Sequence, residues 1–133
     1  MIGWVDQTKN DHDITARVFD AGDPASGVEF ALNSLTADRQ SSLELTGLSN
    51  GNFVATWETT GGVDGNGRGV YGALFDSTGT RLTPPASDIL INETTLDHQQ
   101  SPSVVALDDG GFIAFWESAS NDADGTSIVG TPF

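Results

Sequence analysis

Asn52-Phe53-Val54-Ala55-Thr56-Trp57-Glu58 and Gly111-Phe112-Ile113-Ala114-Phe115-Trp116-Glu117 are one stretch written twice, 59 residues apart. The same offset relates Leu48-Ser49-Asn50-Gly51 to Leu107-Asp108-Asp109-Gly110, Asp38-Arg39-Gln40 to Asp97-His98-Gln99, and Leu32-Asn33 to Ile91-Asn92. A third copy lies at the start of the chain, where Trp4 takes the place of Trp57 at an offset of 53. Downstream of each tryptophan comes a second block: Ile14-Thr15-Ala16-Arg17-Val18-Phe19-Asp20, Val70-Tyr71-Gly72-Ala73-Leu74-Phe75-Asp76, and Ile128-Val129-Gly130-Thr131-Pro132-Phe133. The chain is therefore a repeat of a unit 53 to 59 residues long.

Each unit reads as four strands. The first is Leu43 to Leu48, or Ser103 to Leu107. Asn50-Gly51 and Asp109-Gly110 then mark tight hairpins, in which both central residues are expected at positive φ. The second strand, Phe53 to Trp57 or Phe112 to Trp116, is apolar at nearly every position, as a strand buried on both faces should be. A polar loop leads to the third strand, Val70 to Phe75, with counterparts at Ile14 to Phe19 and Ile128 to Phe133. A turn at Asp76 to Thr80, or at Asp20-Ala21-Gly22-Asp23, leads to the fourth, Asp88 to Asn92 or Val28 to Asn33. No segment has a helical period.

Four antiparallel strands in about 50 residues make a β-propeller blade. The expected fold is all-β: one repeat domain, residues 1–133, of about two and a half propeller-like blades (1–40 partial, 41–100 full, 101–133 partial). A β-sandwich is the alternative. Both ends look cut relative to the unit. Since so few blades close no ring, self-assembly, a partner chain with the same repeats, or a larger parent is expected. Pro132 inside the last strand points to a sheet edge there.

Composition narrows the function. Nineteen acidic against 5 basic residues give a formal net charge of −14. That leaves no basic face for nucleic acid or for an anionic membrane surface. No run is apolar enough to span a bilayer. The absence of cysteine excludes disulfides, thiolate metal sites and Cys nucleophiles. Met1 to Asp6 has neither a basic nor an apolar region of the kind a secretory signal needs.

The blocks Pro102-Ser103-Val104-Val105-Ala106-Leu107-Asp108-Asp109-Gly110-Gly111-Phe112-Ile113-Ala114-Phe115-Trp116, Val70-Tyr71-Gly72-Ala73-Leu74-Phe75-Asp76-Ser77-Thr78-Gly79 and Phe30-Ala31-Leu32-Asn33 resemble a known pattern. It is the tandem repeat of large bacterial secreted, adhesin-like and hemolysin-type calcium-binding proteins. The resemblance covers essentially the whole chain, departing where Leu43-Glu44 replaces Pro-Ser. It implies a propeller-like array and an extracellular or cell-surface setting, and no activity.

Three acidic, Asn-rich stretches follow the tryptophans. Alternating oxygen side chains with glycines between them can wrap Ca²⁺, which takes six to eight oxygens. The expected ligands are Asn10, Asp11 and Asp13, then Asp64 and Asn66, then Asn121, Asp122 and Asp124. No closing Glu completes an EF-hand, and Asx turns alone account for such loops. Glu58 and Glu117 could form a glycosidase pair, but they are repeat equivalents, and repetition speaks for structure. His12 and His98 are not equivalent and make no zinc pattern. There is no nucleophile elbow, dinucleotide fingerprint or P-loop. The expectation is a non-catalytic structural or adhesive module, with Ca²⁺ as its ion. The alternative is a glycan-binding module in which Trp57, Trp116 and Tyr71 stack on sugars, although packing in the core is the commoner use of such rings.

Overall fold

The computed structural model describes residues 1–8, 12–20, 22–23, 26–61, 65–84, 87–122 and 125–133. Every regular element among them is a strand, and the strands form three antiparallel sheets. Sheet 1 holds β1 (Ile2–Val5), β2 (Ile14–Arg17) and β3 (Glu29–Ala31). Sheet 2 holds β4 (Gln40–Gly47), β5 (Phe53–Thr59), β6 (Gly69–Phe75) and β7 (Ile89–Leu90). Sheet 3 holds β8 (Gln99–Ala106), β9 (Phe112–Asp122) and β10 (Gly125–Pro132), with β10 and its Pro132 at the edge. Each strand pairs with its sequence neighbour, and each sheet is one copy of the repeat.

The nearly continuous apolar run of β5 follows from its position. Successive strand side chains point to opposite faces, and both faces of sheet 2 are covered. Ala55, Trp57, Tyr71, Ala73 and Phe75 pack with Ile14, Ala16 and Leu32 of sheet 1. On the other face, Val54, Val70 and Ile91 pack with Val104, Phe112, Ala114 and Trp116 of sheet 3. Register keeps the two sets apart: Trp57 lies opposite Tyr71 and Ala55 opposite Ala73, while Val54 lies opposite Leu74. Gly72 sits where any Cβ would press on the Ala55 carbonyl (3.0 Å) and the Ile91 side chain (3.3 Å). Its counterpart in sheet 1 is Ala16, which is likewise fully buried.

Three details differ from the sequence reading. The hairpins put only glycine, Gly51 and Gly110, at positive φ (86° and 91°). Leu48 C=O accepts from Gly51 N (3.0 Å) and Leu48 N donates to Asn52 O (2.8 Å). That is a three-residue loop closed by a bulge rather than a two-residue turn. The first strands begin earlier, at Gln40 and Gln99. They bend at paired irregularities where Ser42 and Ser101 adopt φ of 52° and 53°. The fourth strands are shorter than expected, because a side chain replaces the backbone. Asn33 Oδ1 accepts from Ile14 N (2.7 Å), and Asn92 Oδ1 accepts from Val70 N (2.8 Å).

Candidate functional site

The connections that follow the three tryptophan strands leave from equivalent ends, beyond the pairs Val5–Ile14, Thr59–Gly69 and Asp122–Gly125. The segments entering β4 and β8 reach the same edge. Thr60 N donates to Arg39 O (2.9 Å) and Ala119 N to His98 O (3.0 Å). The stacked sheets thus gather the polar loops along one rim.

A repeated set of buried amides holds that rim. Gln40 Nε2 donates to Ala37 O (3.1 Å) and Gln99 Nε2 to Leu96 O (2.9 Å). Asn33 Nδ2 donates to Leu35 O (2.9 Å) and Asn92 Nδ2 to Thr94 O (2.8 Å). Asp38 and Asp97, two residues before each Gln, take φ of 65° and 59°, which Asp tolerates better than most residues. Trp116 Nε1 donates to Gln99 Oε1 (3.0 Å), whereas the equivalent Trp57 Nε1 and Gln40 Oε1 are buried with no hydrogen-bond partner among the described residues.

Charged groups cross between the sheets. Glu58, 4% exposed, accepts from Arg68 Nη1 (2.9 Å), and its second oxygen faces Ser42 Oγ (3.5 Å) and Ser101 N (3.4 Å) of sheet 3. Arg68 is 45% exposed and also reaches Gln100 Oε1 (3.4 Å). Arg39 Nη2 meets His12 Nδ1 at 3.0 Å, tying the rim of sheet 2 to that of sheet 1. Thr60, Gly65, Asn66, Gly67, Arg68 and His98 line an open polar cleft of about 530 Å³ between the rims of sheets 2 and 3.

Of the residues expected to hold Ca²⁺, Asn10, Asp11, Asp64 and Asp124 lie outside the described residues, as does Ala21 of the expected turn. Asp13 accepts from Asn33 Nδ2 (3.0 Å), so its carboxylate helps anchor a buried amide. Asn66 lines the cleft. Asn121 and Asp122 lie on β9 rather than in a loop. Pairing persists to Asp122–Gly125, assisted by Gly125 at φ 125° and an irregularity before Ser127. Among the described residues no three His, Cys, Asp or Glu side chains converge on a metal position.

Trp57, Trp116 and Tyr71 are inside the molecule, 0%, 1% and 5% exposed. Their rings fill the spaces between sheets and present no face to a sugar. Glu58 and Glu117 belong to successive sheets, and Glu117 accepts from Gln100 Nε2 (3.1 Å). Sequence reasoning assigned no role to Arg68, Gln40, Gln99, Asn33 or Asn92. The signal was present, since the last four recur at the 59-residue offset.

No family model matches the sequence, and no curated protein matches it. Among solved structures, an endo-arabinase from Bacteroides thetaiotaomicron VPI-5482 is similar in fold. The TM-score is 0.52 at 15% sequence identity, over 92% of this chain. The chain spans only 46% of that enzyme's length. At this identity the likeness concerns the all-β arrangement alone.

Proposed function

We propose that the chain is a non-catalytic structural and adhesive repeat module whose sheets are blades of a propeller-type array, working outside the cell or on its surface. The observation that carries this reading is the repeated use of one construction. The same tryptophan, asparagine, glutamine and αL-aspartate positions build successive sheets, and they are spent on packing and backbone hydrogen bonds. Glu58, the carboxylate best placed for chemistry, is instead paired with Arg68 of its own sheet.

A second reading, binding of a carbohydrate, is supported by the open cleft at the rim. Asn66, Arg68, His98 and Thr60 offer amide, guanidinium, imidazole and hydroxyl groups suited to sugar hydroxyls. The fold likeness to an endo-arabinase accords with it. Electrophoresis in gels containing arabinan, paired with an assay for new reducing ends, separates the readings. The leading reading expects unretarded migration and no reducing ends above the blank. Retardation that Arg68→Ala abolishes would establish the carbohydrate reading. Steady release of reducing ends would overturn the non-catalytic claim.

Ca²⁺ enters the proposal as a stabilising ion at the acidic loops, supported by the net charge of −14. No described carboxylate set fits it unaided. The melting temperature is expected to rise on adding Ca²⁺ and to fall back with chelator. An unchanged melting temperature removes the ion from the account.

A further inference from the structure

The two outer faces of the stack are repeat copies of faces that are buried inside it. Sheet 2 meets sheet 3 through Val54, Val70 and Ile91, with Leu74 packed alongside. By the 59-residue offset and the third-strand alignment, the positions of Val54, Thr56, Val70, Gly72 and Leu74 become Ile113, Phe115, Ile128, Gly130 and Pro132 in sheet 3. The register confirms that these share one face, since Ile113 lies opposite Pro132 and Phe115 opposite Gly130. Ile113 and Phe115 are half-buried and Pro132 is exposed. Ile128 is 70% exposed and Val105, opposite Ile113, is 52% exposed.

The other end of the stack offers the complement. Gly3 of β1 points toward Leu43 and Leu45 of sheet 2, so Ile2 and Trp4 point away from it. Trp4 occupies the position of Trp57 and Trp116. Each of those two is at most 1% exposed, seated against the preceding sheet. Trp4 is only half-buried, and Ile2 beside it is 59% exposed.

We propose that the outer face of sheet 3 receives the Trp4 face of sheet 1 from a second copy of this chain, head to tail. The contact between sheets 2 and 3 would thereby recur between chains. A face that binds its repeat complement rather than itself makes a heterologous contact, which grows into a ring or a filament according to the rotation per step. With a charge of −14 per chain, raising salt strengthens the association by screening repulsion.

The test is solution mass by sedimentation and light scattering over a wide concentration range. Wild type is expected to rise above the 13.9 kDa monomer with concentration. Ile128→Lys and Ile2→Asp should each remain near 13.9 kDa. Both sites are exposed, and each new charge faces an opposite one in its own sheet, Glu117 and Arg17 respectively. The fold should therefore survive, and an unchanged melting profile checks it. Mixing the two variants restores association, because one supplies an intact sheet 3 face and the other an intact Trp4 face. Val28→Asp, at the 83% exposed Val28, should associate like wild type. A wild type monomeric at every concentration overturns the proposal. So does association that survives Ile2→Asp but not Ile128→Lys, which would mean sheet 3 pairs with itself. The outcome is independent of any carbohydrate binding, which is read separately.

Discussion

Asp88→Ala is expected to remove about 3–5 kcal/mol of unfolding free energy, read as a lower urea midpoint with little change in slope. The Asp88 carboxylate is fully buried beside Arg81, with Oδ1 2.7 Å from Nη2. It also accepts from Ser34 N (2.9 Å), Ser34 Oγ (2.7 Å) and Leu35 N (2.9 Å). Those donors belong to the segment leaving sheet 1, whereas Asp88 directly precedes the last strand of sheet 2. Arg81 makes the same crossing through Leu32 O (2.6 Å) and lies over the Phe75 ring. Removing the carboxylate leaves a mostly buried guanidinium without its counter-charge and two backbone N–H groups without their acceptor. That cost exceeds the attraction lost. Arg81→Ala should cost a similar amount, and the double variant clearly less than the two losses together. A loss for Asp88→Ala below about 1 kcal/mol, the range of exposed ion pairs, would show that this bridge does not tie the sheets.

Trp57→Ala and Trp116→Ala are each expected to cost about 3–5 kcal/mol, since each empties a space between two sheets. The phenylalanine variants should distinguish the two sites. Trp116→Phe removes the donor to the buried Gln99 Oε1, stranding an acceptor at a cost of about 1–3 kcal/mol beyond the lost volume. Trp57 Nε1 has no partner among the described residues, so Trp57→Phe loses volume alone and should be the milder change. Equal losses in chemical denaturation would mean that the Trp116–Gln99 bond contributes nothing net.

The repeat made much of this fold readable. One tryptophan motif located the middle strands, and the apolar run around it marked a strand buried on both faces, as β5 is. Trp57 and Trp116 lie in the core, the commoner place for such rings. Strand ends were less legible, because they depend on chain that is distant in sequence. The polar run Ser118 to Asp122 looks like a loop, yet it continues β9 because β10 and the segment before β8 supply partners. Conversely, apolar Ile91 reads as strand, but the ladder gives way there to the Asn92 side chain. The Asp88–Arg81 bridge was invisible because its partners in the segment leaving sheet 1 lie more than 50 positions upstream of Asp88. The rim cleft likewise joins Arg68 to His98 only after sheets 2 and 3 stack.

The order of stacking bears directly on the central claim that successive units pack through the same pair of faces. Methyl–methyl nuclear Overhauser effects at low concentration report it. The account predicts cross-peaks from Ile14 and Leu32 to Ala55 and Ala73, and from Val70 and Ile91 to Val104 and Ala114, the members of the two separate cores. Cross-peaks joining Ile14 or Leu32 directly to Val104 or Ala114 would place sheet 1 against sheet 3, as in a two-layer sandwich, and would contradict it.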